Sequence, residues 1–119
     1  MNLQLLIFAC FIVLHYLADF ILQTHTMASR KSFDNLALAQ HVMVYLACFG
    51  VFSIMIFGEQ ALLPCCILAV AHFATDWLTS RWSSSLWKSQ QWHLFFVVIG
   101  LDQLIHYGQL VALTIYLTH

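Results

Sequence analysis

Four stretches of this chain, about residues 3–23, 36–57, 60–80 and 92–117, are apolar and long enough to cross a bilayer as helices at 1.5 Å of rise per residue. Between them lie short polar breaks. These are Ser29 through Asn35, Gly58-Glu59-Gln60, and Arg81 through Gln91 with its Ser83-Ser84-Ser85 run. In a chain of 119 residues that is 62% hydrophobic and only 8% charged, nothing is left over to build a soluble domain. The expectation is one all-α transmembrane domain over 1–119, an integral membrane four-helix bundle. The first run has no basic residue ahead of it and carries His15 and Asp19, so it reads as an uncleaved helix rather than a secretory signal.

Charge placement gives the expected orientation. Arg30, Lys31, Arg81 and Lys88 are the only Lys and Arg residues, and all fall in the first and third breaks. The positive-inside rule makes loops 24–35 and 81–91 cytoplasmic, with both termini and the Glu59 turn outside. Trp82, Trp87 and Trp92 then sit where interfacial aromatics usually do. A net charge of −1 and the lack of any large surface outside the bilayer exclude nucleic-acid binding. Cys10, Cys48, Cys65 and Cys66 lie within apolar spans and are read as small hydrophobes. Pro64 falls in the first turn of the third helix, where a missing N–H is tolerated.

Within the first and third runs one pattern occurs twice: His15-Tyr16-Leu17-Ala18-Asp19-Phe20 and His72-Phe73-Ala74-Thr75-Asp76-Trp77. Residues four apart share a helix face. A carboxylate within a membrane costs about 2.5–3.5 kcal/mol on insertion scales, so two with the same partner at the same spacing suggest a function. Asp102 and His106 repeat the spacing in reverse order. Each His-x-x-x-Asp segment is followed by a basic loop and a returning helix, which suggests two helical hairpins in parallel repeat with a site at their interface.

Depth is a further test. With these helix limits, Asp19 and Asp76 lie about 7 Å from the cytoplasmic boundary, and His15 and His72 about 13 Å. His41 lies at about 7 Å, Asp102 at about 15 Å, and His106 one turn deeper. Asp19, Asp76 and Asp102 fall on predicted helices that contain no Lys or Arg, so no buried salt bridge to a basic residue is expected. Such carboxylates must be protonated, paired with imidazolium, or neutralised by a cation. A divalent metal satisfies carboxylates and neutral imidazoles together. His15, Asp19, His41, His72, Asp76, Asp102 and His106 are the candidate ligands, enough for one metal or for two bridged by a carboxylate. Mixed imidazole and carboxylate ligation suits zinc first, then iron(II) or manganese.

The plainer alternative is that the His–Asp pairs only hydrogen-bond between helices, although Ser, Thr, Asn and Gln usually fill that role. His25 and His93 lie near the boundary and His119 at the terminus, where no ligand role is needed. Gln23 and Gln103 are either contacts to the site or packing residues, and Tyr45 and Tyr107 read as interior aromatics.

The segments His15 to Thr24, His41, His72 to Trp77 and Asp102 to His106 together resemble the small bacterial and phage membrane proteins grouped as domain of unknown function 3307. That resemblance spans nearly the whole chain and implies about four helices in the cell (inner) membrane, with no activity attached. The His-x-x-x-Asp helix is also similar, more faintly, to inner-membrane metal-dependent hydrolases, although this chain lacks their glycine- and histidine-rich segment. The leading functional expectation is hydrolysis of a lipid-like or other amphiphilic ester, with His15, Asp19, His72 and Asp76 holding the metal. His41, Asp102 and His106 complete the site, with Asp102 and His106 the candidate catalytic pair. The first alternative is a proton or divalent-cation carrier or channel, which at this size calls for a homo-oligomer. The second is a non-catalytic membrane partner docking through its basic loops.

Overall fold

The computed structural model describes residues 2–119, and every regular element among them is helical. Helix α1 spans Leu3–Tyr16 and opens into a π-helical turn over Leu17–Ile21, closed by the Leu22 N–H donating to the Leu17 carbonyl at 2.8 Å. A short α2, His25–Arg30, leads to α3, Asn35–Phe57. After a 3₁₀ turn at Glu59–Ala61 come α4, Leu62–Lys88, and α5, Trp92–Thr118. Four helical segments, Leu3–Ile21, Asn35–Phe57, Glu59–Lys88 and Trp92–Thr118, are long and apolar enough to cross a membrane.

Local chemistry sets the ends. Side-chain oxygens of Asn2, Thr24 and Asp34 accept from the N–H groups of Gln4, Met27 and Leu36, supplying partners that the first turns of α1, α2 and α3 otherwise lack. Between α4 and α5, Gln91 N–H donates to the Leu86 carbonyl and Gln90 N–H to the Trp87 carbonyl, with Gln90 at φ +60°, a Schellman ending. Helix α3 stops at Gly58, whose φ of +82° and ψ of −173° fall in a region essentially closed to residues with a Cβ. Gly58→Ala is therefore expected to destabilise the fold by about 1–3 kcal/mol, read as a lower melting temperature in detergent.

Helices α1 and α4 each pack against both α3 and α5, so the two helices bearing His-x-x-x-Asp stand diagonally across the bundle. The molecule measures 45 × 28 × 20 Å. Ile7, Phe11, Tyr45, Phe49, Leu68 and Leu110 form the apolar core in the half towards the Gly58 turn. Val13, Met55, Val70, Phe96 and Leu104 point outward. Polar side chains take the interior instead: His15, Asp19, His41, His72, Asp76 and His106 are all buried.

Three boundaries differ from the sequence reading. Residues 81–88 continue α4 rather than forming a loop. The Ser83 hydroxyl returns a hydrogen bond to the Ser80 carbonyl of the preceding turn at 3.2 Å, so it does not break the helix, and Ser89, bonded likewise to the Ser85 carbonyl at 3.1 Å, caps the helix end. The 24–35 loop contains α2, and α1 ends in its π turn rather than running on to residue 23. The depth estimates change accordingly. About 18 Å of rise separates Asp76 from Lys88 and about 21 Å separates Trp92 from His106, so His106 lies level with Asp76 rather than deeper. The α4/α5 hairpin overhangs α1 and α3 at the basic end.

Candidate metal centre

Asp19 lies in the π turn, three residues past the end of α1 proper, and is only 4% exposed. A π turn holds one residue more than the α-helical turn it replaces, and such turns recur at functional sites. His41 comes from the second turn of α3, His72 and Asp76 from the middle of α4, and Asp102 and His106 from the middle of α5.

Their side chains meet at one point. His41 Nε2 lies 2.9 Å from Asp19 Oδ1, 3.1 Å from His72 Nε2 and 3.4 Å from Asp76 Oδ2. His72 Nε2 lies 3.4 Å from Asp19 Oδ1 and 3.5 Å from Asp76 Oδ2. Around a tetrahedral zinc with bonds of about 2.0–2.1 Å, donor atoms stand about 3.3–3.4 Å apart. Asp19, His41, His72 and Asp76 thus form a buried group of a size that can hold a metal ion. Two imidazole nitrogens at 3.1 Å admit at most one proton between them, so this is a poor arrangement for two protonated rings. The far nitrogens, His41 Nδ1 and His72 Nδ1, are buried without a hydrogen-bond partner.

A second group, Asp19, Asp102 and His106, shares the Asp19 carboxylate with the first. His106 Nε2 lies 2.9 Å from Asp76 Oδ1 and 3.4 Å from Asp102 Oδ1. The Thr79 hydroxyl and the Gln103 amide both donate to Asp102. Gln103 thereby turns its Oε1 to His15 Nε2, 2.9 Å away, while the Tyr45 hydroxyl lies 3.0 Å from His15 Nδ1. With both nitrogens engaged, and 3.6 Å from Asp19, His15 stands outside both groups. It holds Gln103 and Tyr45 in place instead.

The two halves repeat a set of His–Asp distances. The i,i+4 pairs His15–Asp19 and His72–Asp76 are separated by 3.6 and 3.5 Å. The returning helices bring His41 to Asp19 and His106 to Asp76, each at 2.9 Å.

One electrostatic expectation is overturned. Lys31, at the end of α2, folds back so that its Nζ lies 3.3 Å from Asp76 Oδ2, a salt bridge to a buried carboxylate. A loop residue can reach the centre because the π turn and α2 lie directly over it. Three carboxylates with one ammonium leave two negative charges, the charge of one divalent cation.

Thr79 and Lys31 were not read from the sequence as part of the site, and Tyr45 was read only as an interior aromatic. Thr79 is one turn beyond Asp76, and Tyr45 one turn beyond His41, so helical spacing from residues already chosen finds both. The Tyr45 ring stacks on His72 with centroids 3.8 Å apart, and His72 stacks on His106 at 4.3 Å, which fixes the His72 ring. Lys31 had no such signal. Gln23 has its Oε1 buried without a partner, and His25, His93 and His119 are exposed. Tyr107, partly exposed, packs edge-on against His15.

No curated protein and no solved structure matches this chain. A family model does match, over residues 7–119, and the chain belongs to that family, described as "Protein of unknown function (DUF3307)".

Proposed function

We propose that this protein spans the inner membrane and holds one divalent cation, zinc by preference, iron(II) or manganese otherwise, between Asp19, His41, His72 and Asp76. The observation that carries this reading is the set of donor distances, 2.9–3.5 Å among atoms on the π turn, α3 and α4. The chemistry that suits the site best is hydrolysis of a lipid or amphiphilic ester. A divalent metal polarises the scissile carbonyl or phosphoryl group and acidifies water. Asp102, the least buried of the three aspartates, is oriented by Thr79 and Gln103 to accept the proton of the attacking water. His106, between Asp76 and Asp102, returns a proton to the leaving alcohol.

The test starts from protein purified in mild detergent without chelator, its metal measured by elemental mass spectrometry. Wild type and Gln23→Ala are expected to carry about one equivalent, and Asp19→Ala and His41→Ala little or none. Equal metal in all four overturns the centre. Asp102→Asn is expected to keep its metal and to lose about 10²-fold or more in turnover of a fluorogenic lipid ester. The placing of the His and Asp side chains between the two hairpins also favours a second reading, a cation or proton carrier. Flux in proteoliposomes that Asp102→Asn abolishes, with no ester turnover by wild type, selects that reading.

A further inference from the structure

The overhang of α4 beyond the metal centre creates a second polar site. A cavity of about 410 Å³ opens between it and the α2–α3 loop, lined by Arg81, Lys88, Ser32, Ser84, Ser85 and Ser89, with Phe33 at its edge. Two cations and four hydroxyls line it, and no carboxylate does. Of the acidic residues at this end, Asp34 is paired with Arg30 at 3.1 Å and Asp76 with Lys31 at 3.3 Å. Glu59 lies at the opposite end, in the Gly58 turn. Among the described residues, Arg81 and Lys88 therefore have no acidic partner.

Arg81 is nonetheless held in place by neutral groups. Its guanidinium donates to Asn35 Oδ1 at 2.6 Å and to the Trp77 carbonyl at 3.2 Å, and lies over the Trp77 ring at 4.6 Å. The charge is oriented yet not neutralised, as an anion site requires. The level in the bilayer fits a headgroup. Trp82, Trp87 and Trp92 are about half exposed and flank the same stretch of α4 and the start of α5, where a membrane–water boundary places tryptophan. Four basic residues fall short of a polybasic patch, but here the fold gathers two of them with hydroxyl donors into one cup.

We infer that this cup binds a phosphate group, either that of an anionic phospholipid or free phosphate, independently of the metal centre about 12 Å away along α4. The site needs neither a bound metal nor catalysis.

Native mass spectrometry of the full chain in detergent, titrated in turn with phosphatidylglycerol and phosphatidylcholine, tests it. Wild type is expected to retain one phosphatidylglycerol at lipid concentrations that leave phosphatidylcholine unbound. The double variant Arg81→Gln, Lys88→Gln is expected to bind phosphatidylglycerol about tenfold or more weakly while keeping wild-type metal content, and Lys88→Gln alone falls between. Displacement of the lipid by inorganic phosphate supports the proposal with free phosphate as a ligand. Lipid that resists phosphate but is lost in the double variant supports it with the headgroup as the source. Equal retention of the two lipids by wild type overturns it, as does unchanged phosphatidylglycerol binding by the double variant.

Discussion

Replacing Asp76 by alanine is expected to abolish metal retention and also to cost about 3–5 kcal/mol of stability in the metal-free protein, the largest loss from any single substitution in the centre. The size follows from what the carboxylate holds. Its Oδ1 faces His106 at 2.9 Å, and its Oδ2 faces Lys31, His41 and His72 at 3.3, 3.4 and 3.5 Å. Alanine leaves an ammonium and three imidazoles converging on an empty space, a buried charge without its partner. Asparagine keeps the shape and one acceptor oxygen, so Asp76→Asn is expected to lose the metal with a smaller loss of stability. Chelator-treated wild type, Asp76→Ala and Asp76→Asn can be compared by thermal melting in detergent. An Asp76→Ala protein that melts with wild type removes Asp76 from the role assigned to it.

Lys31→Met is expected to move two quantities in opposite directions. The ammonium sits beside Asp76 Oδ2, one of the four donor atoms, so an arriving dication meets its repulsion or displaces it. At an effective dielectric of about 20, a single and a double charge some 5 Å apart repel by several kcal/mol, which solvent at the partly exposed Lys31 reduces. A residual of about 1.4 kcal/mol already corresponds to tenfold in affinity. Metal binding is therefore expected to tighten by about tenfold or more, measured by competition with a chromophoric chelator. The metal-free protein is expected to melt lower, because Asp76 loses its only ammonium. If affinity is unchanged or weaker in Lys31→Met, the ammonium does not compete for the site.

Both expectations involve the residue that the sequence concealed best. The helices, their order and the His-x-x-x-Asp pairs were legible because apolar length and four-residue spacing are local properties of the chain. His41 and His106 were legible as polar residues in apolar spans, which are costly without a partner. Lys31 was not, because its position depends on how α2 folds back over the centre, and that depends on the π turn at Leu17–Ile21. The serine run was misread for a related reason. Serine opposes helix where its hydroxyl competes for the backbone, yet Ser83 donates within its own helix and is buried against the bundle. His15 had the same pattern as His72, but Gln103 and Tyr45 occupy both its nitrogens, and only the packing of α5 and α3 against α1 brings them there.

The division of the centre between two hairpins also bears on how the chain is made. The first hairpin leaves the ribosome with Asp19 facing only His15 and His41, and the partners that complete its surroundings, His72 and Asp76, are still unsynthesised. Until the second hairpin arrives, a carboxylate that costs about 2.5–3.5 kcal/mol in lipid faces the bilayer or the insertion machinery. Each half thus carries a polar defect that only the other repairs.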